Sequence, residues 1–332
     1  METGYKSPRA ALAVVLLGSV VHRYVVVAAP GLPRSLAEGL AESLGAELVW
    51  AEHRLFPDGE SYVRIPAGLE AATAIIASTG YPEPTRRLWE AALLAEAARG
   101  LGASHVVAFM AYLPYSRQDR RFIRGEPISV RAVLSLLASS GAEALVTVDV
   151  HKPASLAWFP GPVANVDPSP AFAEKLRPLL GAAEKVYVIA PDRGALPRAH
   201  RLAERLGAAF DYLEKHRDRV TGEITVKPKT LDVRGAVVVL IDDIVSTGGT
   251  MARAASMLLE QGAETVVAAC THGLFAGNAI EKLRRAGVSK ILAANTVGPS
   301  EGVETVDVSR QVAEAIDQLL ETLAGYEQER PA

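Results

Sequence analysis

Short apolar runs alternate along the chain with stretches whose apolar side chains recur every three or four positions. The runs Tyr24–Ala28, Ala74–Ser78, His105–Met110, Ala144–Asp149, Lys185–Ala190, Ala236–Ile241, Thr265–Ala269 and Ser289–Ala293 are rich in Val, Ile and Ala. They lack polar alternation, which fits strands covered on both faces. Between them Leu36–Leu44, Arg86–Ala98, Val130–Ser139, Ala195–Leu206 and Met251–Gln261 carry the helical period. Strand, helix, strand, repeated, predicts an α/β fold with largely parallel sheets flanked by helices.

The pattern also hints at a repeat. SLLASSGAEALVTVDVH (from Ser135) and SMLLEQGAETVVAACTH (from Ser256) both read as a helix end, a Gly-Ala-Glu turn, a strand and a histidine, 121 residues apart. This predicts two similar units. At the same offset, Asp242–Thr250 aligns with RFIRGEPIS (Arg121–Ser129), which has neither an acidic pair nor a Thr-Gly-Gly loop, so one phosphate loop per chain is expected. The Pro-rich segment Phe159–Pro170 reads as the linker. The expected organisation is an extension over 1–22, domains over 23–162 and 163–305, and a C-terminal helix and tail over 306–332.

Composition narrows the class. The chain has 332 residues, 49% of them hydrophobic and 22% charged, with net charge −3. That gives no electrostatic footprint for nucleic acid or an anionic membrane. The single cysteine, Cys270, excludes an intrachain disulfide and any multi-cysteine metal site, and favours a reducing, cytoplasmic home. Lys6 and Arg9 precede the apolar run Ala10–Val21, in the manner of a short signal sequence or membrane anchor. The run stops short of the roughly 20 residues that span a bilayer and no clean small-residue cleavage site follows it, so it is read as an extension.

The chemistry concentrates in VVVLIDDIVSTGGTMARAASMLLEQGA, from Val237 to Ala263. An apolar run ends in Asp242 and Asp243, and Ser246-Thr247-Gly248-Gly249-Thr250 then leads into a helix. Ligands of open α/β sheets bind beyond the carboxyl ends of strands. A helix N-terminus offers unpaired N–H groups to an anion, glycine lets the backbone come close, and the hydroxyls add donors. The loop suits a phosphate; the carboxylates suit sugar hydroxyls beside it, with or without a divalent cation. No lysine follows the second glycine, so this is not a P-loop.

This stretch resembles the phosphoribosyl diphosphate (PRPP) loop of type I phosphoribosyltransferases and of ribose-phosphate diphosphokinases. RLFPDGESYVRIP (Arg54–Pro66), PYSRQDRRFIRGEPIS (Pro114–Ser129), VDVHKP (Val148–Pro153), APDRGALPRA (Ala190–Ala199) and ACTHGLFAGNA (Ala269–Ala279) resemble diphosphokinase motifs in the family's order. On these motifs the chain is identified as a member of the diphosphokinase family. The resemblance implies two similar type I phosphoribosyltransferase-like domains and an oligomer of at least two subunits. It also implies transfer of the β,γ-diphosphoryl group of ATP to ribose 5-phosphate, with Mg²⁺.

It further implies residue roles. Phe56, Asp58 and Glu60, by themselves only a turn signal, would line the ATP pocket of a neighbouring subunit. Arg117 and Gln118, in a cluster that also reads as a solvated face, would contact ATP. His151, a position that a structural histidine fills as readily, would meet the metal or the triphosphate. Asp192 would bind the metal; Arg193 follows it where many members have His. Lys215 and Arg217, in a polar stretch between Tyr212 and Ile224 that otherwise reads as a solvated loop, would close over the phosphates as catalytic cations. Asp242 and Asp243 would hold the ribose hydroxyls, and Ser246, Thr247, Gly248, Gly249 and Thr250 the 5-phosphate. Ser246 stands where many members have an acidic residue. Cys270 and His272 read as structural. A PRPP-consuming transferase and a non-catalytic regulatory homologue are the rival readings.

Overall fold

A computed structural model of the chain describes residues 16–17, 20–21, 23–181, 183–217, 224–228 and 232–328. The elements of the first half are β1 (Leu16–Leu17), β2 (Val20–Val21), β3 (Arg23–Ala28), α1 (Arg34–Leu44), β4 (Glu47–Trp50), β5 (Glu52–Leu55), β6 (Ser61–Arg64), β7 (Ala72–Ser78), α2 (Pro84–Gly100), β8 (His105–Met110), α3 (Ser129–Ser139), β9 (Ala144–Val148), β10 (Val163–Val166) and α4 (Ser169–Leu180). The second half supplies β11 (Val186–Ala190), α5 (Leu196–Leu206), β12 (Ala209–Arg217), β13 (Ile224–Pro228), β14 (Val237–Val245), α6 (Gly249–Glu260), β15 (Thr265–Gly273), α7 (Ala279–Arg285), β16 (Val288–Ala294), β17 (Glu304–Val306) and α8 (Ser309–Gln328).

Two sheets organise these elements. The first runs β10-β9-β8-β7-β3-β4 with every pairing parallel. The second runs β13-β12-β11-β14-β15-β16-β17, parallel except for the β12–β13 pair. The β5–β6 hairpin stands apart as its own two-stranded sheet, as does the β1–β2 pair. Of the N-terminal apolar run only these two short strands are described; the rest of 1–22 lies outside the described residues.

Set against each other, the sheets reveal the repeat and correct its register. With β13 omitted, the two strand orders coincide: β3, β4, β7, β8, β9 and β10 correspond to β11, β12, β14, β15, β16 and β17. The echo read from the sequence paired β9 with β15, which are not equivalent. It arose because both helix-to-strand turns need a left-handed glycine at the same place, Gly141 (φ 102°) and Gly262 (φ 94°). The topological counterpart of Asp242–Thr250 is therefore the loop after β7, Thr79–Thr85, and not Arg121–Ser129. That loop too lacks an acidic pair and a Thr-Gly-Gly run.

Local chemistry supports the corrected register. Asp149 N–H donates to Val166 O and Asn295 N–H to Val306 O. Asp167 and Asp307 each accept a hydrogen bond from the backbone of a serine two residues on, at the starts of α4 and α8.

The boundary between halves also moves. Val163–Val166 pairs with β9, so it belongs to the first sheet, past the expected boundary at 162. Pro160 and Pro162 fit beside it because β10 is an edge strand, where a missing N–H costs no ladder bond. The closing helices are exchanged. α4, which follows the first sheet, packs on α5 and β17; α8, which follows the second, packs on α1, β9 and β10. One continuous core results, running from Val26, Phe109 and Val146 through Phe172 and Ile316 to Val239 and Leu292.

The carboxyl ends of the central strands meet at the seam. His272 Nε2 lies 3.0 Å from Val148 O, and Thr79 Oγ1 donates to Thr296 O at 2.7 Å. Asp149, buried and left-handed (φ 42°), accepts from Arg198 Nε with both oxygens (2.9 and 2.8 Å) and from Thr271 Oγ1 (2.7 Å). Removing one partner of a buried ion pair strands the other charge. Asp149→Ala is expected to cost about 3–5 kcal/mol of unfolding free energy in urea. Arg34→Ala, which breaks the exposed pair with Glu38, is expected to cost under about 1 kcal/mol.

Candidate active site

The loop after β14 is shaped by its neighbours. Asp242 and Asp243 stand side by side near the end of β14 and both line the cavity beyond it, but their surroundings differ. Asp243 turns into the seam, where Oδ2 accepts from His151 Nδ1 at 2.7 Å and lies 3.4 Å from Arg198 Nη2. Burial pushes the Asp243 carboxyl up, but the His151 hydrogen bond and the Arg198 guanidinium hold it well below the usual carboxylate range. Burial, and then the charge of Asp243, push the Asp242 carboxyl well above that range. One carboxyl is thus fixed as an anion while its neighbour keeps its proton to higher pH.

Gly248 sits at φ 71° immediately before α6, and a Cβ there would come within 3.1 Å of Ala279 O. Both facts require glycine. No side chain caps α6 and no acidic residue occupies its first turn, so its leading N–H groups face outward for an anion. Lys282 Nζ reaches Thr247 O at 3.4 Å and braces the loop from α7.

A cavity of about 300 Å³ opens here, lined by Arg117, His151, Asp192, Asp242, Asp243 and the whole of Ser246–Thr250. Of the predicted residues, these are the ones the fold brings together. His151 comes from the first half and the acidic pair from the second. Asp192 stands just past β11, its Oδ1 accepting from Gly194 N at 2.8 Å. A larger cavity, about 1050 Å³, lies between β10 and α8 but holds none of the predicted residues.

The other predicted residues lie elsewhere. Phe56, Asp58 and Glu60 ride on the turn of the β5–β6 hairpin, exposed and outside the cavity. The turn is tight: Phe56 N–H donates to Glu60 O, and Glu60 N–H to Asp58 Oδ1. Gln118 uses its amide oxygen to accept from Ser129 Oγ and does not line the cavity. Lys215 and Arg217 lie on β12, with their side chains outside the described part of the structure. The solvated loop expected there is instead an antiparallel arm, with Lys215 opposite Val226 and Arg217 opposite Ile224. The β-branched Ile224-Thr225-Val226 supplies a return strand that the polar composition hid. β12 leaves β11 at Tyr212, so Lys215 stands about 10 Å further along the strand, beyond the carboxyl edge.

Sequence reading missed Arg198 and Lys152, which also line the cavity, and Asp149, which holds Arg198. Arg198 lies within the motif Ala190–Ala199. Its signal was available: Arg198, Arg201 and Arg205 recur at helical spacing on α5, and all three ion-pair with first-half carboxylates, Asp149 or Asp167.

For a metal, the donors fit a cation that keeps most of its shell from ligand and water. Among the described residues no three His, Cys, Asp or Glu side chains cluster as a closed cage. With Nδ1 committed to Asp243, the ring atom of His151 that could meet a cation is Nε2, and a carboxylate partner of this kind orients an imidazole for such a role. No described helix is long and apolar enough to cross a membrane.

Both halves of the chain are similar to known proteins. Residues 26–141 match the N-terminal domain of ribose phosphate pyrophosphokinase, and residues 171–304 the phosphoribosyl transferase domain. A ribose-phosphate pyrophosphokinase of Saccharolobus solfataricus is 41% identical over 83% of this chain and 94% of its own. One from Methanopyrus kandleri is 43% identical over 86% and 96%. The crystal structure of phosphoribosylpyrophosphate synthetase from Mycobacterium smegmatis superposes with a TM-score of 0.80 at 27% identity, covering 90% of this chain and 99% of that one.

Two outcomes follow from the site's construction. Gly248→Ala is expected to cost about 1–2 kcal/mol in thermal unfolding. Gly249→Ala, whose new methyl group meets only Arg253 Nη1 at 3.7 Å, should leave stability unchanged. The second concerns His272, whose burial lowers its pKa to about 4 from the ordinary 6.5. A depressed folded-state value means the contribution is fully present above pH 6.5 and is lost as pH falls from there to about 4. Urea titrations across that window should show about 3 kcal/mol more loss in the wild type than in His272→Gln.

Proposed function

The chain belongs to the ribose-phosphate pyrophosphokinase family, and on that footing we propose how its residues divide the work. The reaction moves the β,γ-diphosphoryl group of ATP to the anomeric hydroxyl of ribose 5-phosphate, giving PRPP and AMP. The observation that carries this reading is one cavity in which His151 of the first half meets Asp243 of the second, beside the open N-terminus of α6.

The Thr247–Thr250 loop and α6 hold the 5-phosphate through backbone N–H groups, with hydroxyls from Ser246, Thr247 and Thr250 beside them. Asp242 and Asp243 face the ribose hydroxyls. Asp242 takes the larger share, because Asp243 is already bonded to His151 and near Arg198. Ser246 in place of an acidic residue leaves this rim less negative. On the other side, Arg117 and Gln118 receive ATP, and Phe56, Asp58 and Glu60 reach the base and ribose from a neighbouring subunit. This makes the working unit a homo-oligomer of at least two chains, in a cytoplasmic setting.

His151 and Asp192 would hold Mg²⁺ with the phosphates, and the ion would neutralise charge on the transferring group when bound. The anomeric oxygen attacks the β-phosphorus in line, the bond from that phosphorus to the α,β-bridging oxygen breaks, and AMP leaves. The hydroxyl proton passes to solvent, with no side chain required as general base. Such transfers depend on positioning and on charge stabilisation. Lys215 and Arg217, carried on an arm beyond the sheet edge, supply two cations as the arm closes and excludes water.

Purified protein given ATP, Mg²⁺ and ribose 5-phosphate should yield AMP and a diphosphate-bearing sugar by phosphorus NMR; ADP instead would refute diphosphoryl transfer. Lys215→Ala should lower kcat by about 10²–10³-fold, with both KM values within about threefold of wild type. Undiminished turnover would remove Lys215 from the catalytic set.

A further inference from the structure

The β5–β6 hairpin shares no backbone ladder with either main sheet, so side chains must set its attitude. Val63 gives an apolar footing against the first-half core. The polar footing is one carboxylate, Glu90, midway along α2 and 0% exposed. Its Oε1 accepts from Ser61 Oγ at 2.9 Å and lies 2.8 Å from His53 Nε2. Its Oε2 accepts from Arg87 Nη1 at 2.9 Å, and Arg86 Nε is 3.7 Å from Oε1. Glu83 completes the surrounding charges, paired with Arg86 and Arg87.

The geometry is selective. His53 belongs to β5 and Ser61 to β6, so one oxygen ties both strands to α2. Ser61 directly follows Glu60 and pairs with Leu55, which directly precedes Phe56. The anchor therefore lies close to the turn, with Ser61 one residue from Glu60 and His53 three residues from Phe56. A buried carboxylate beside cations is costly to place and exacting in geometry.

We propose that Glu90, through His53 and Ser61, is a positioning residue that aims Phe56, Asp58 and Glu60 at the nucleotide and so sets affinity for ATP. This rests on the diphosphokinase reading, in which those three residues serve ATP. Glu90 touches no substrate; it acts through the hairpin. His53, which has no signal in the sequence, acquires a role.

Replacing Glu90 outright would leave Arg86 and Arg87 without their buried counter-charge, so the test uses the hairpin side of the anchor. The His53→Ala, Ser61→Ala double variant is compared with wild type for kcat, both KM values, mass by light scattering and ATP binding by equilibrium dialysis. The expected result is a rise of about tenfold in KM and Kd for ATP, with KM for ribose 5-phosphate and assembled mass unchanged. His53→Gln, which keeps a donor, should recover most of the ATP affinity on the Ser61 background. ATP affinity within twofold of wild type would overturn the proposal, as would a loss that appears only in step with dissociation into monomers. The two readings fail separately: a wild type that makes no AMP refutes the catalytic assignment, whereas dialysis reports the anchor without turnover.

Discussion

The fold turns on the buried pair of Asp149 and Arg198. Asp149 ends a strand of the first sheet and Arg198 lies on a helix of the second half. Both carboxylate oxygens meet Arg198 Nε, and the same guanidinium donates to Val150 O at 3.1 Å and lies near Asp243. A lysine could not make these contacts, because they need a planar group with several fixed donors. Two groups of the cavity wall, His151 and Asp243, are tied to this junction. His151 follows Asp149 by two residues, and Asp243 answers both His151 and Arg198.

The site inherits its asymmetry from that junction. Two adjacent carboxyls would ordinarily repel each other and ionise in the same range. Here one is drawn inward by an imidazole and a guanidinium, and the other carries the consequence. The repeat shows the same economy on a larger scale. Both halves have a strand-to-helix loop at the equivalent place, but only the second enters its helix through Gly248-Gly249; the first has Glu83-Pro84 there, and the proline removes an N–H from the helix start. The first half keeps the scaffold, and what it brings to the cavity, Arg117, His151 and Lys152, lies in the segments that follow β8 and β9.

How much of this was legible in the sequence depends on the range of the interaction. The strands over Tyr24–Ala28, His105–Met110 and Ala236–Ile241 were readable because burial on both faces leaves unbroken apolar runs. The phosphate loop was readable because glycines, hydroxyls and carboxylates sit side by side. Edge elements were not: β4, β10 and β17 are short and carry polar residues, as edges do. The β12–β13 arm was hidden by its charge. The repeat was seen at the wrong offset, since turn chemistry imposes glycine wherever a helix meets a strand. The better clue was Val-Asp-x-Ser at Val166 and again at Val306, 140 residues apart. Asp149, Arg198 and Glu90 were opaque for a deeper reason. Each takes its meaning from partners brought close only by folding, and composition at the position itself says nothing.

The exchanged helices carry a consequence of their own. α4 closes the half it does not belong to, and so does α8. Cutting the chain between the sheets would therefore not yield two independent modules. A cut after α4 would leave each fragment without the cover for its inner face and with a helix that has nothing of its own to cover. Two units that look separable on a topology diagram are thus one cooperative unit, expected to melt in one transition. The exchange also ties the carboxyl edges of the sheets together by main chain, so the seam that forms the cavity cannot open without disturbing both cores at once.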